Sequence, residues 1–304
     1  MIAFLFILIA AVCLTGIINR TRAWLAGRKG IPFMQHLRNV WLLFRKGSVY
    51  PSSSGFVFRL APLVYAAGIL TAALFVPLGA YPAVLHFEGD VVVFAYLLAL
   101  SRFFLILGAL DTGSSFEGMG AAREALYGAL VEPALFFLFG TLALMTGYTS
   151  FSAMFAALGA GTPETIIVTL LLAYVLIKLI QIEGGRIPVD DPRTHLELTM
   201  VHEVMILDYS GFDLALIHAA GWVRTGLLAT LAGGVIASTV PYRGMTVLVI
   251  FVFVVLIGTY VGFIESFRAR NRLNKNATYI VTTASLALFA FLLVYIISLN
   301  ISLE

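Results

Sequence analysis

The residues of this sequence that could do chemistry are concentrated in one polar stretch, EGGRIPVDDPRTHLELTMVHEVMILDYSGFD, over residues 183–213. The stretch holds seven of the chain's sixteen acids and lies between two apolar segments. Carboxylates and imidazoles that bind and release protons can pass them from one group to the next. We therefore predict a proton path that runs from this stretch into a neighbouring apolar segment. Its predicted members are Glu132, Glu183, Asp190, His195, Glu197, His202, Glu203 and Asp208.

Two prolines divide the polar stretch into a loop and a helix. Pro188 and Pro192 are incompatible with a regular helix over EGGRIPVDDP, so this part is predicted to be an ordered loop. A helix is expected from Asp191, with Asp191 as its N-cap and Pro192 in its first turn. A metal site of the following histidines and acids is the weaker alternative, because the segment has no HExxH pair and no cysteine.

Charged residues also occur inside the apolar segments, where they are costly and usually face a bundle interior. Lys178 is expected to pair with Glu132 or Glu183. Arg102 and Arg224 are expected near mid-membrane, where few acids of this chain lie, so water or a neighbouring subunit would have to balance them. The alternative is a set of structural ion pairs with side chains that reach the membrane surface.

Basic residues near the predicted path are expected to set the pKa values of its acids by ion pairing. Arg186 is expected to pair with Glu183, three positions before it. The predicted charge partners are Arg102, Arg123, Lys178, Arg186, Arg193 and Arg224.

The elements that must position these residues are membrane helices. The chain has 304 residues, of which 61% are hydrophobic and 12% charged, and apolar runs of ~20 residues recur. We predict an all-α polytopic membrane protein with one membrane domain over residues 1–304. The first apolar run lacks a basic leader, so it is expected to be a retained helix. The eight predicted spans are 1–18, 60–80, 91–110, 129–148, 164–182, 214–236, 244–264 and 278–299.

Basic residues are unevenly distributed between the connections. The connection 19–59 has eight Lys and Arg and no acid, and 265–277 is also basic. The positive-inside rule predicts that these connections are cytoplasmic, together with 111–128 and 183–213. Both termini are then on the outer (periplasmic) side of the cytoplasmic (inner) membrane. Residues 34–47, MQHLRNVWLLFRKG, are predicted to form an amphipathic helix on the membrane surface.

Several function classes are excluded by composition. The only cysteine is Cys13, which excludes an intrachain disulfide, a cysteine-ligated iron–sulfur cluster and a structural zinc site. The basic residues follow membrane topology and do not indicate nucleic-acid binding. The sequence has no nucleophile triad or phosphate loop, so we predict no catalytic residue, metal or cofactor in this chain.

Two motifs carry a family resemblance: EGGRIPVDDPRTHLELTMVHE…LDYSG, and DTGSSFEGMGAAREAL…EP over Asp111–Pro133. Together they resemble the large integral membrane subunit of group 4 nickel–iron hydrogenases, of the formate hydrogenlyase and energy-converting types. This family is related to the quinone-site membrane subunit of respiratory complex I. The resemblance covers nearly the whole chain.

The resemblance implies site residues and partners. An arginine nine positions before a membrane glutamate matches Arg123 and Glu132. The family's other motif residues match Glu183, Arg186, Pro188, Asp190, Glu197-Leu198 and Asp208-Tyr209. The implied partners are the hydrogenase large and small (iron–sulfur) subunits on the cytoplasmic side, which would hold the nickel–iron centre and the clusters, and antiporter-like membrane subunits.

Three other functions remain open at this point. A quinone-site subunit of complex I type is the first, but its acid-rich loop is replaced here by Arg193 and His195, which favours the hydrogenase branch. A stand-alone secondary transporter would show inverted repeats, and no such repeat is visible. A purely structural anchor would need its membrane charges for assembly and not for coupling.

Overall fold

The computed structural model describes residues 1–79, 81–158, 163–191, 200–240 and 243–301 of the chain. Within these ranges the protein is built from eleven α-helices and one short 3-10 turn at Arg243–Met245. The helices are α1 Ile2–Leu25, α2 Gln35–Phe44, α3 Phe56–Ala73, α4 Asp90–Asp111, α5 Ser115–Thr146, α6 Phe151–Ala157, α7 Pro163–Glu183, α8 His202–Met205, α9 Gly211–Ala237, α10 Thr246–Phe267 and α11 Leu273–Ile301.

Eight of these helices are long and apolar enough to cross a membrane, which confirms the predicted number of spans. They are α1, α3, α4, α5, α7, α9, α10 and α11. The helix predicted within residues 34–47 is confirmed as α2, which packs on α9: His36 and Val40 are buried, whereas Trp41 and Leu42 are exposed. The two remaining helices, α6 and α8, are short connections.

Helix α5 begins at Ser115, well before the predicted start of its span at residue 129. The first turns of α5 are polar, and for this reason the sequence predicts a connection over residues 111–128. In the structure these turns are covered by α8 and the segment after it: Glu117 is buried and accepts the Asp208 N–H at 2.9 Å, and Gly120 lies against Val204 of α8. The helix therefore continues through residues whose polarity is satisfied by a neighbouring loop.

The helix predicted from Asp191 is wrong in the part that the structure describes. Only His202–Met205 is helical, and residues 206–208 form a turn. Carboxylates take the backbone donors that a longer helix would use: Asp190 accepts the N–H groups of Val201 and His202, and Glu117 accepts that of Asp208. Such side-chain bonds compete directly with helix formation.

Helix α9 is the centre of the bundle. It packs against α1, α3, α7 and α10, and α2 also lies on it. A Cβ placed at Gly226 would come within 2.8 Å of the Ala11 Cα, so the glycine permits the close approach of α9 to α1. Because α9 is enclosed by its neighbours, its one arginine, Arg224, is held inside the bundle.

Candidate proton-transfer site

The centre of the candidate site is Glu183, the last residue of α7. Its side chain is only 1% exposed. The Nη2 atoms of Arg102, on α4, and of Arg224, on α9, both contact its carboxylate. A buried carboxylate needs such charge-assisted partners, because an isolated ion in the bundle interior is strongly destabilising.

Arg102 extends the cluster to α5. Its Nε lies 3.4 Å from Glu124 Oε1, and its Nη1 lies 3.9 Å from Glu132 Oε1. Between these two acids is Gly128, where an added Cβ would come within 2.7 Å of Arg102 Nη1. Residues 124, 128 and 132 are four positions apart, so they form one stripe along ~12 Å of helix. A single guanidinium therefore contacts three carboxylates from two helices.

Arg224 closes the cluster on the other side. The hydroxyl of Tyr65, which is 1% exposed, is close enough to the Arg224 guanidinium to interact with it electrostatically. The expectation that few acids of this chain lie near Arg102 and Arg224, so that water or a neighbouring subunit must balance them, is wrong. Arg224 lies well inside α9, and α7 ends at the same level. The side chain of Glu183, the last residue of α7, therefore lies inside the bundle.

Lys178 does not make the expected ion pair with Glu132 or Glu183. Its Nζ lies 4.1 Å from the ring centroid of Tyr279 and 5.3 Å from that of Tyr174. The reason is helical geometry: five positions separate Lys178 from Glu183, which places them about 140° apart around the axis of α7. Lys178 therefore faces α11, where aromatic faces stabilise its charge.

Arg186 belongs to a second cluster and does not pair with Glu183 as expected. Its Nη1 lies 3.5 Å from Oε1 of Glu265, and Arg22 Nη1 lies 2.5 Å from Oε2 of the same acid. The side chain of Glu265 is fully buried. The chain turns at Gly185, whose φ of 54° is left-handed, so the side chain of Arg186 is directed to α10 instead of back to α7.

Asp190 holds the loop that follows α7. It accepts backbone N–H groups from Asp191 at 2.9 Å, Val201 at 3.0 Å and His202 at 3.2 Å, and Arg270 Nη1 lies 3.6 Å from it. Burial raises the pKa of the Asp190 carboxyl, and the hydrogen bonds and Arg270 oppose this shift. Both oxygens thus have structural partners, which ties the two ends of the 191–201 segment together.

The other predicted site residues lie around this loop. Arg123 Nη1 donates to the Met200 carbonyl at 2.8 Å, Asp208 is exposed, and His202 and Glu203 are half-buried. Three further predicted residues lie outside the described residues: Arg193, His195 and Glu197. Among the residues that are described, no group of three or more His, Cys, Asp or Glu is placed to hold a metal ion.

A small cavity connects the loop to the charge cluster. It is lined by Arg102, Glu124, Glu183, Asp190 and His202, among others, and its volume is about 20 Å³. A cavity of ~10–15 Å³ is enough for one buried water, and the polar groups that line this cavity are available to bind it. The cavity therefore has room for one water molecule among these polar groups.

Two acids of these clusters were not identified from the sequence. Glu124 falls in the predicted connection 111–128, because the fourth span is predicted to start at residue 129. Its spacing from Gly128 and Glu132 is the signal that would have placed it on their stripe. Glu265 falls at the edge of the predicted basic connection 265–277, and nothing in its local pattern indicates that two distant arginines converge on it.

Comparison with known proteins identifies the family. The sequence model of the family described as NADH dehydrogenase matches residues 1–297. The chain belongs to the NADH dehydrogenase family. The family match covers both clusters, seven spans and all but the last residues of the eighth, so the described site lies within the matched region.

Curated relatives within this similarity come from Escherichia coli (strain K12). Hydrogenase-4 component C is 37% identical over 219 residues, which are 71% of this chain and 68% of the relative. Formate hydrogenlyase subunit 4 is 36% identical over 199 residues, 65% of this chain and 64% of the relative. The resemblance to membrane subunits of hydrogenases is therefore confirmed.

The fold also matches a solved structure. A chain of the membrane-bound sulfane sulfur reductase, an archaeal respiratory membrane complex, superposes with a TM-score of 0.75. The alignment covers 95% of this chain and 96% of that chain, at 17% sequence identity. At this identity the match supports the helical architecture alone.

Proposed function

We propose that this chain is the membrane anchor and proton-path subunit of a multi-subunit, ion-translocating nickel–iron hydrogenase complex. The identity to hydrogenase-4 component C and to formate hydrogenlyase subunit 4 supports the choice of complex. The basic connections support an orientation in the cytoplasmic membrane with both termini outside.

The redox chemistry belongs to partner subunits in this proposal. Hydrogenase large and small (iron–sulfur) subunits on the cytoplasmic side would hold the nickel–iron centre and the clusters. Antiporter-like membrane subunits would move protons or sodium. This chain would supply the protonatable groups between them, with no cofactor of its own.

The observation that carries the proposal is the buried Glu183 carboxylate between two arginines, beside a cavity that fits water. Two guanidinium cations here face three carboxylates, those of Glu183, Glu124 and Glu132. A low-dielectric interior favours electrical neutrality, so the cluster holds one proton when it is balanced. Gain and loss of that proton, through the cavity water and the exposed side of Glu132, constitutes a relay step.

Substitution of Glu183 tests this function. Glu183→Gln keeps the side-chain size but removes the charge that pairs with Arg102 and Arg224. We expect an assembled complex whose redox turnover no longer drives proton uptake into inverted membrane vesicles. The matched control is Glu88→Gln, an exposed acid in the loop before α4. Hydrogen-dependent ion pumping at the control level in Glu183→Gln would contradict the proposal.

The second candidate is a quinone-site subunit of an NADH:quinone oxidoreductase, favoured by the description of the family. The cavity beside Glu183 has room for water and not for a quinone ring, so no step through quinone is derived from it. Competitive inhibition of the purified complex by a quinone analogue would favour this candidate over the first.

A further inference from the structure

A second and larger cavity lies where α1 and α10 end. Its volume is about 730 Å³, within the ~300–1,000 Å³ typical of ligand pockets. The walls come from the last turns of the two helices and from the loop after α1. The lining residues that matter here are Arg22, Arg28, Ile31, Glu265 and Phe267. The proton-transfer step proposed above does not use this cavity.

The cavity carries a surplus of positive charge. Its one acid, Glu265, is shared by two guanidiniums, those of Arg22 and Arg186, so this triad retains one positive charge. Arg28 adds another and is exposed. The loop that presents Arg28 is held from α1, since Arg20 Nη1 donates to the Lys29 carbonyl at 3.4 Å. The complementary ligand is therefore an anion.

Exposed aromatic residues lie at the cavity. Phe267 lines it and is 70% exposed, and Trp24, which is 77% exposed, lies in the chain between the lining residues Ala23 and Leu25. Such residues concentrate at the headgroup level of membranes. One turn deeper on α10, the half-exposed Phe263 packs against Phe267 with ring centroids 4.6 Å apart. An apolar surface thus continues from the basic cavity along the lipid-facing side of α10.

We propose that this cavity binds the headgroup of an anionic phospholipid. Arg28 and the outer face of Arg22 hold the phosphate by charge-assisted hydrogen bonds, and an acyl chain lies over Phe267 and Phe263. A free phosphate ion offers the same chemistry to the arginines. It leaves the aromatic surface unused, which is why the geometry favours a lipid.

The test is lipid retention by the intact complex. The wild-type complex and variants are placed in nanodiscs of phosphatidylcholine with or without phosphatidylglycerol, and bound lipid is counted by native mass spectrometry. We expect wild-type complex to retain phosphatidylglycerol, and Arg28→Gln to retain it about fivefold more weakly, the effect of one basic residue. Arg28→Lys should retain most of the binding.

The matched control is Arg38→Gln, an exposed arginine on α2 outside the cavity, which should behave as wild type. Equal loss in this control, or unchanged retention in Arg28→Gln, overturns the site. Displacement of the lipid by inorganic phosphate overturns the assignment to a lipid. Absence of bound phosphatidylglycerol in the wild-type complex overturns the proposal. A partner subunit that filled the cavity would give this result.

Discussion

At the scale of single residues, the site is defined by which charges share a guanidinium. Arg102 contacts Glu183, Glu124 and Glu132, but these acids differ in their surroundings. The side chain of Glu183 is 1% exposed, that of Glu124 17% and that of Glu132 44%. Exposure rises from Glu183 through Glu124 to Glu132, so the contact of Arg102 with Glu183 is the one best shielded from the surroundings. The outermost side chain, that of Glu132, is the one that reaches the outer surface of the bundle.

Glu132→Gln tests the charge balance between the three carboxylates and the two arginines. The substitution leaves two cations against two carboxylates, a neutral cluster that has no reason to bind a proton. We expect proton translocation per turnover to fall by at least about tenfold, with normal assembly, because a positioned proton-transfer group is lost. Translocation is measured by dye quenching in inverted vesicles and assembly by native gel.

The opposite result has a clear meaning. Unchanged proton translocation in Glu132→Gln would show that the relay does not need Glu132. Glu88→Gln again serves as the control for loss of one acid elsewhere.

At the scale of elements, the site depends on how close α4 and α5 lie. Gly128 leaves the space that the Arg102 side chain occupies: an added Cβ would be 2.7 Å from Nη1 and 2.9 Å from Cδ. Overpacking of this kind forces side chains out of their preferred positions. The glycine thus fixes the reach of Arg102 to the acids on either side of it.

Gly128→Ala is expected to displace Arg102 and to weaken its contacts with Glu124 and Glu132. We expect a loss of about 1–3 kcal/mol in stability and a lower ratio of protons moved to turnover. Gly118→Ala on the same helix is the control, because a Cβ added there would meet no atom within 4 Å. Thermal unfolding and vesicle assays compare the two. Equal effects would indicate that helix propensity, and not the contact with Arg102, is responsible.

The elements also show what could be predicted from the sequence. The eight spans follow from local hydropathy, so length and composition were sufficient for them. The ion pairs depend on the offset of one helix along another, which local patterns do not contain. Helix α7 ends inside the bundle, which brings Glu183 to Arg224. The rotation of α7 about its own axis directs Lys178 to α11 and away from Glu183. Both features arise from the packing of helices around α9.

At the scale of the whole molecule, the charge clusters and the basic first connection lie in the same half of the bundle. The Glu265 cluster and the cavity beside it lie at the end where α1 and α10 terminate, and the Glu183 cluster lies deeper in the bundle, where α7 terminates. The same end carries the basic connection 19–59. If this end is cytoplasmic, the redox partners, the entrance of the proton path and the anionic leaflet are all on one side. The orientation of the chain therefore decides how its parts can work together.

Cysteine labelling tests the orientation. Cys13 is the only cysteine, so Cys13→Ser gives a background free of thiols. We introduce Ser53→Cys in the basic connection and Glu88→Cys at the opposite end; both positions are exposed. A maleimide that cannot cross membranes should label Glu88→Cys in spheroplasts and Ser53→Cys only in inverted vesicles. The reverse pattern would put the basic end outside, where a cytoplasmic hydrogenase arm could not reach Glu183, and would contradict the proposed complex.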